Sequence, residues 1–187
     1  MMQNNIEKIL KENPLIPVVT ISDEAELDAV YTKLKEKDIS VIEITLRTEY
    51  AWEAIRLFKD KYGHEFKVGV GTIINAEQIQ KSIDLRVDFM VSPGLTTGMI
   101  QLLDFSGIPF ITGVSTPSEI IRGIEIGWEF FKFFPADIFG GAKALKAYGS
   151  IFRNIKFCPT GGISESNYKD YLELDNVLAV GGSWLAK

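Results

Sequence analysis

Short apolar runs ending in Gly, Pro, Ser or Thr alternate along this chain with longer segments whose apolar residues recur at helical spacing. That is the pattern of repeated strand–helix units around a parallel sheet. The runs that predict strands are IPVVTI (16–21), VIEITL (41–46), KVGVGT (67–72), FMVS (89–92), FITGV (110–114), FFKFF (130–134), IKFCPT (155–160) and VLAVG (177–181). Their starts lie 25, 26, 22, 21, 20, 25 and 22 residues apart, which leaves room each time for a strand, a short helix and two short loops. Eight such units predict one α/β domain, a (β/α)8 TIM barrel over residues 1–187.

Helix starts punctuate the intervening segments: Ser22-Asp23 before EAELDAVYTKL, Asn75 before AEQIQKSI, Thr116-Pro117 before SEIIRGIEI and Ser164 before ESNYKDYL. The sequence given runs only to Lys187 after the eighth strand, so the barrel is expected to lack its final C-terminal helix. The segment IEKILKEN, apolar at Ile6, Ile9 and Leu10, is expected to lie across the N-terminal end of the barrel.

Composition narrows the classes of function. With 187 residues, 46% of them hydrophobic, the chain can bury a core of its own. A net charge of −5 with no basic run points to neither a nucleic-acid nor a membrane partner, so any anion must be bound locally. The single cysteine, Cys158, permits no intrachain disulfide and no Cys/His metal site, a composition that suits the cytoplasm. The opening MMQNNIEKILKENP has no continuous apolar region, and no later stretch approaches the roughly 20 apolar residues of a membrane span.

Reactive groups of such barrels come from the C-terminal ends of the strands and the loops beyond them. In VIEITLRT the alternation of side chains puts Glu43, Thr45 and Arg47 on one face and Ile42, Ile44 and Leu46 on the other. The apolar face meets the helices, so the charged face points into the barrel, where carboxylate and guanidinium are costly unless paired or used on a ligand. A structural Glu43–Arg47 ion pair is the alternative. In EFFKFFPAD one lysine, Lys132, stands among four phenylalanines. Desolvation against aromatic surface disfavours the ammonium form and supplies the free amine that carbonyl addition requires. A lysine that snorkels at a strand end, or that merely neutralises Glu43, is the alternative here.

Two glycine-rich turns, Thr160-Gly161-Gly162-Ile163-Ser164 and Gly181-Gly182-Ser183, follow the seventh and eighth strands, where barrels commonly bind phosphate through free backbone N–H groups. Ordinary tight turns use the same glycines. Thr72, which ends the third strand, and Pro93, at the end of the fourth, are rim positions. His64, in YGHEFK, reads as a surface residue, and Cys158, Trp52 and Trp128 as packing residues.

The segments IEITLRTEYAWEAIR, VGVGTIINAEQ, SPGLT, FKFFPAD, FCPTGGISESNYKDYL and VLAVGGSWL resemble those of the KDPG/KHG aldolases, a family of class I pyruvate aldolases, and the likeness spans nearly the whole chain. The resemblance implies Lys132 as the Schiff-base lysine and Glu43 as the general acid/base, with Arg47 and Thr72 holding the pyruvyl carboxylate. It implies Thr160, Gly161, Gly162, Gly182 and Ser183 around the far end of the substrate and its phosphate, and Pro93 and Phe134 shaping the pocket. The implied substrate is a phosphorylated 2-keto acid, the implied assembly a homotrimer, and no cofactor or metal is expected. An aldolase with another aldehyde half, a sugar-phosphate isomerase or epimerase without covalent catalysis, and a binding protein are the competing readings.

Overall fold

The computed structural model describes residues 3–187. Its elements alternate throughout: α1 (Gln3–Glu12), β1 (Leu15–Val19), α2 (Ala25–Glu36), β2 (Val41–Thr45), α3 (Ala51–Tyr62), β3 (Lys67–Gly71), α4 (Ala76–Asp84) and β4 (Phe89–Ser92). There follow α5 (Thr97–Phe105), β5 (Phe110–Val114), α6 (Pro117–Glu125), β6 (Phe130–Phe133), α7 (Gly141–Ile151), β7 (Lys156–Pro159), α8 (Tyr168–Leu172), β8 (Val180–Gly182) and a closing 3-10 turn, Ser183–Ala186.

The eight strands form one sheet in the order β7-β6-β5-β4-β3-β2-β1-β8, and every ladder is parallel. Single bridges, Phe157 to Val177 and Thr160 to Gly181, join the two ends and close the barrel. This is the expected (β/α)8 architecture. A strand enclosed by lumen on one face and helices on the other is buried on both, and all five residues of β2 are buried. The helices answer with amphipathic faces. In α3 the buried residues are Ala51, Ala54, Ile55 and Phe58, one stripe of a helical period.

Several boundaries differ from expectation, chiefly at the C-terminal ends. Thr20, Leu46, Thr72, Phe134 and Thr160 all lie just past their strands, because there the chain leaves the ladder to build the barrel mouth. The eighth strand begins at Val180 and not Val177. Residues 177–179 first lie against β7, with Leu178 N donating to Phe157 O, before Val180 N turns to Pro14 O and joins β1. The helix expected after Ser164 shrinks to Tyr168–Leu172, because the Asn167 side chain bonds backward: its Oδ1 accepts from Ser164 N and its Nδ2 donates to Gly162 O. The Asn75 and Thr116 caps form as expected, the latter as a full capping box.

Helix α1 seals the N-terminal side. Ile6 and Leu10 are buried, and the buried Gln3 side chain donates to Phe130 O and accepts from Glu129 N and Phe130 N at the start of β6. His64 is exposed, and Trp128 is buried with its Nε1 donating to Asp104. Among the described residues, no helix is long and apolar enough to cross a membrane.

Candidate active site

Strands β2 and β6 stand across the barrel from one another, and each sends one charged side chain into the lumen. The Nζ of Lys132 lies 3.3 Å from Oε1 of Glu43, with side chains only 6% and 4% exposed. Burial of two polar side chains to this degree is tolerated because each is the other's hydrogen-bond partner. The alternative pairing of Glu43 with Arg47 does not form. Among the described residues no carboxylate lies within ion-pair distance of Arg47, which stands exposed at the mouth.

The neighbours of this pair set its geometry. Gly71, at the end of β3, has no side chain where a Cβ would fall 2.1 Å from Glu43 Oε1, so only glycine leaves the carboxylate its place. On the other side the Phe134 ring centroid lies 5.2 Å from Lys132 Nζ, close enough for the ring face to hold an ammonium or a protonated imine. Cys158 is the ladder partner of Lys132 on β7. Burial pushes its thiol up to about 12, with the nearby Lys132 charge opposing and Glu43 adding to the effect, so it stays a neutral packing group.

At the barrel mouth opens a cavity of about 530 Å³; neither Lys132 nor Glu43 lines it, and Phe134, whose ring faces Lys132, is where it comes nearest the pair. Arg47, Phe134, Thr160, Gly161, Gly162, Gly182 and Ser183 all line it, so the structure gathers these expected residues around one space. Its far wall is the pair of glycine turns. Gly161 and Gly162 have φ of 96° and 74°, and a Cβ on Gly162 would meet Asp137 Cβ at 2.2 Å, so the loop requires glycine on both counts. Gly162 is pinned from behind by Asn167 Nδ2 at 3.0 Å.

Thr72 and Pro93 do not line this cavity. They leave β3 and β4 at the same C-terminal face. Thr72 is held at φ 67°, a conformation costly for a β-branched residue and one that concentrates at functional sites.

Three positions escaped the sequence reading. Thr20 lines the cavity beyond β1, and its signal was being the one polar side chain in IPVVTI. Asn167 was absorbed into an expected helix. Lys33 of α2 lies on the outer cavity wall, and nothing in its local sequence marks it. Among the described residues no three His, Cys, Asp or Glu side chains converge as a metal site.

A buried lysine–carboxylate pair can form an imine with a ketone and move protons at it, and glycine turns at the barrel mouth offer backbone N–H groups to an anion. Comparison with known proteins agrees. The model of the KDPG and KHG aldolase family matches residues 6–187. The 2-dehydro-3-deoxy-phosphogluconate aldolase of Dickeya dadantii (strain 3937) is 43% identical over 183 residues, 98% of this chain and 85% of that protein. The KHG/KDPG aldolase of Escherichia coli (strain K12) is 42% identical over the same shares. A crystal structure of the KDPG aldolase from Legionella pneumophila, with pyruvate captured at low pH as a covalent carbinolamine intermediate, has a TM-score of 0.91 at 39% identity and covers 95% of this chain and 86% of that one. The chain belongs to the KDPG and KHG aldolase family.

Proposed function

We propose that this member of the KDPG and KHG aldolase family is a class I aldolase that cleaves 2-keto-3-deoxy-6-phosphogluconate to pyruvate and glyceraldehyde 3-phosphate, with Lys132 as the Schiff-base lysine. The observation that carries the reading is the buried 3.3 Å contact between Lys132 Nζ and Glu43 Oε1 inside the barrel, with Phe134 shared between Lys132 and the cavity that the two glycine turns line.

The residues act in sequence. Transfer of a proton from Lys132 to Glu43 frees the amine, which adds to the C2 ketone to give a carbinolamine. Glu43 returns the proton to the departing hydroxyl, and water leaves. The protonated imine then draws electrons from the C3–C4 bond as Glu43, or a water it holds, takes the proton of the C4 hydroxyl. Glyceraldehyde 3-phosphate departs, the enamine takes a proton at C3, and hydrolysis releases pyruvate and the lysine. Arg47 and Thr72 hold the carboxylate beside the ketone, and Pro93 and Phe134 bound the pyruvyl half. Thr160 lines the distal half, and the N–H groups of Gly161, Gly162, Gly182 and Ser183 receive the phosphate.

The proposed assembly is a homotrimer in the cytoplasm, serving the Entner–Doudoroff pathway. An apolar surface supports subunit contacts: Leu102, Phe105, Ile121 and Ile124 are exposed on α5 and α6, which a hydrogen bond from Arg122 to Thr97 ties together.

Steady-state cleavage of 2-keto-3-deoxy-6-phosphogluconate, 2-keto-3-deoxy-6-phosphogalactonate and 4-hydroxy-2-oxoglutarate tests the substrate. The highest kcat/KM is expected with the first. A clear preference for 4-hydroxy-2-oxoglutarate would contradict the phosphate assignment.

A further inference from the structure

Thr20 lines the cavity between the strand that carries Glu43 and the Gly182-Ser183 turn. The register Val18 to Glu43 and Pro17 to Gly182 puts β1 between the strand that carries the general acid/base and the strand that leads into the Gly182-Ser183 turn. Thr20 follows directly after β1 and lines the cavity there.

Its hydrogen bonding has a direction. Thr20 Oγ1 lies 2.9 Å from Thr45 Oγ1, and Thr45 Oγ1 lies 3.1 Å from Val19 O. A carbonyl oxygen can only accept, so the single hydrogen of the Thr45 hydroxyl goes to Val19. The opposite assignment would leave two acceptor oxygens facing each other across 3.1 Å in the barrel wall with no hydrogen between them. With the Thr45 hydrogen spent, Thr20 is the donor in the bond between the two hydroxyls. Towards the cavity, Thr20 therefore presents oxygen lone pairs and no hydrogen. Such a group accepts from a hydroxyl and repels a carboxylate or phosphate oxygen.

We propose that Thr20 is a specificity-determining residue that accepts a hydrogen bond from the hydroxyl carried between the cleaved bond and the phosphate, the C2 hydroxyl of the departing aldehyde. The inference rests on the substrate reading above and deepens it. It selects hydroxylated phosphorylated aldehydes over aldehydes that carry a carboxylate or no polar group at that carbon.

The test runs the reaction as a condensation of pyruvate with glyceraldehyde 3-phosphate and, separately, with 3-phosphooxypropanal, which is the same aldehyde without the hydroxyl. The ratio of the two kcat/KM values is the readout. The Thr20→Val variant is expected to lower that ratio about three- to tenfold, the worth of one neutral hydrogen bond, and Thr20→Ser to restore it. A ratio that Thr20→Val leaves at the parent value overturns the assignment. So does an equal loss for both aldehydes, which would make Thr20 a prop for Thr45 and β2. If the parent enzyme condenses neither aldehyde yet still forms a borohydride-reducible adduct with pyruvate, the substrate reading itself fails and takes this inference with it.

Discussion

Glu43 and Lys132 meet across the barrel, 89 residues apart in sequence, and their buried 3.3 Å contact puts a carboxyl oxygen within hydrogen-bond reach of the lysine amine. Replacing the carboxylate by an amide of the same shape keeps the packing and removes the base. Glu43→Gln is expected to retain the fold and lose about 10²- to 10⁴-fold in kcat, with imine formation from pyruvate slowed as well. Stopped-flow measurement of both steps checks this; a variant within a factor of two of the parent would remove Glu43 from the mechanism.

Gly71 sets the position of that carboxylate. Because an added Cβ would fall 2.1 Å from Glu43 Oε1, Gly71→Ala should displace the acid/base from the lysine. The expected cost is about 1–3 kcal/mol in stability from overpacking, together with a fall in kcat that greatly exceeds any change in KM. Denaturant titration and steady-state kinetics read the two effects separately. Unchanged kcat would mean that Glu43 functions elsewhere.

Asn167 holds the glycine turn from outside the cavity. Removing its 3.0 Å bond to Gly162 O by Asn167→Ala should raise KM for the phosphorylated substrate about tenfold, while pyruvate alone still forms its imine at the parent rate. Inorganic phosphate, tried as a competitive inhibitor, should weaken in parallel. Equal losses for pyruvate and the phosphorylated substrate would count against a phosphate site at this loop.

Glu119 supplies a pH-dependent contribution to stability. Burial pushes its carboxyl up, but hydrogen bonds from Ser115 N, Thr116 N and the Thr116 and Ser115 hydroxyls outweigh that and hold it below its ordinary value of 4.5. A depressed carboxyl stabilises the fold above its unfolded pKa, and that stabilisation is lost as pH falls through the lower folded value. Glu119→Gln should therefore cost about 1 kcal/mol near neutrality, and the difference from the parent should shrink once the pH drops below 4.5. Urea denaturation at several pH values checks the sign.

Local sequence carries some of this architecture and not the rest. Lys132 among phenylalanines and Glu43 opposite Ile42 and Ile44 are visible because strand alternation alone decides which side of β2 and β6 faces the lumen. The glycine turns are visible because they punctuate strand ends. Thr20 is not picked out by its sequence because its place beside Thr45 at the cavity depends on the register of β1 against β2, which no periodicity reports. Asn167 was hidden because its side chain competes with the helix that its neighbours favour. The start of β8 was misplaced because residues 177–179 are apolar, with Val177 and Ala179 buried, yet touch β7 through a single bridge before the ladder with β1 begins. Gly71 reads in the sequence only as one residue of the strand KVGVGT, whereas in the fold its missing side chain leaves room for the Glu43 carboxylate that arrives from the neighbouring strand.

The central claim is a covalent bond between Lys132 and pyruvate. The protein is incubated with pyruvate and borohydride, and the intact chain and its peptides are weighed by mass spectrometry, with Lys132→Ala carried through beside it. The expected result is one reduced pyruvyl adduct per chain, on the peptide that contains FKFFPAD, and none in the variant. A folded parent protein that gains no adduct, or gains it equally in Lys132→Ala, would contradict the account.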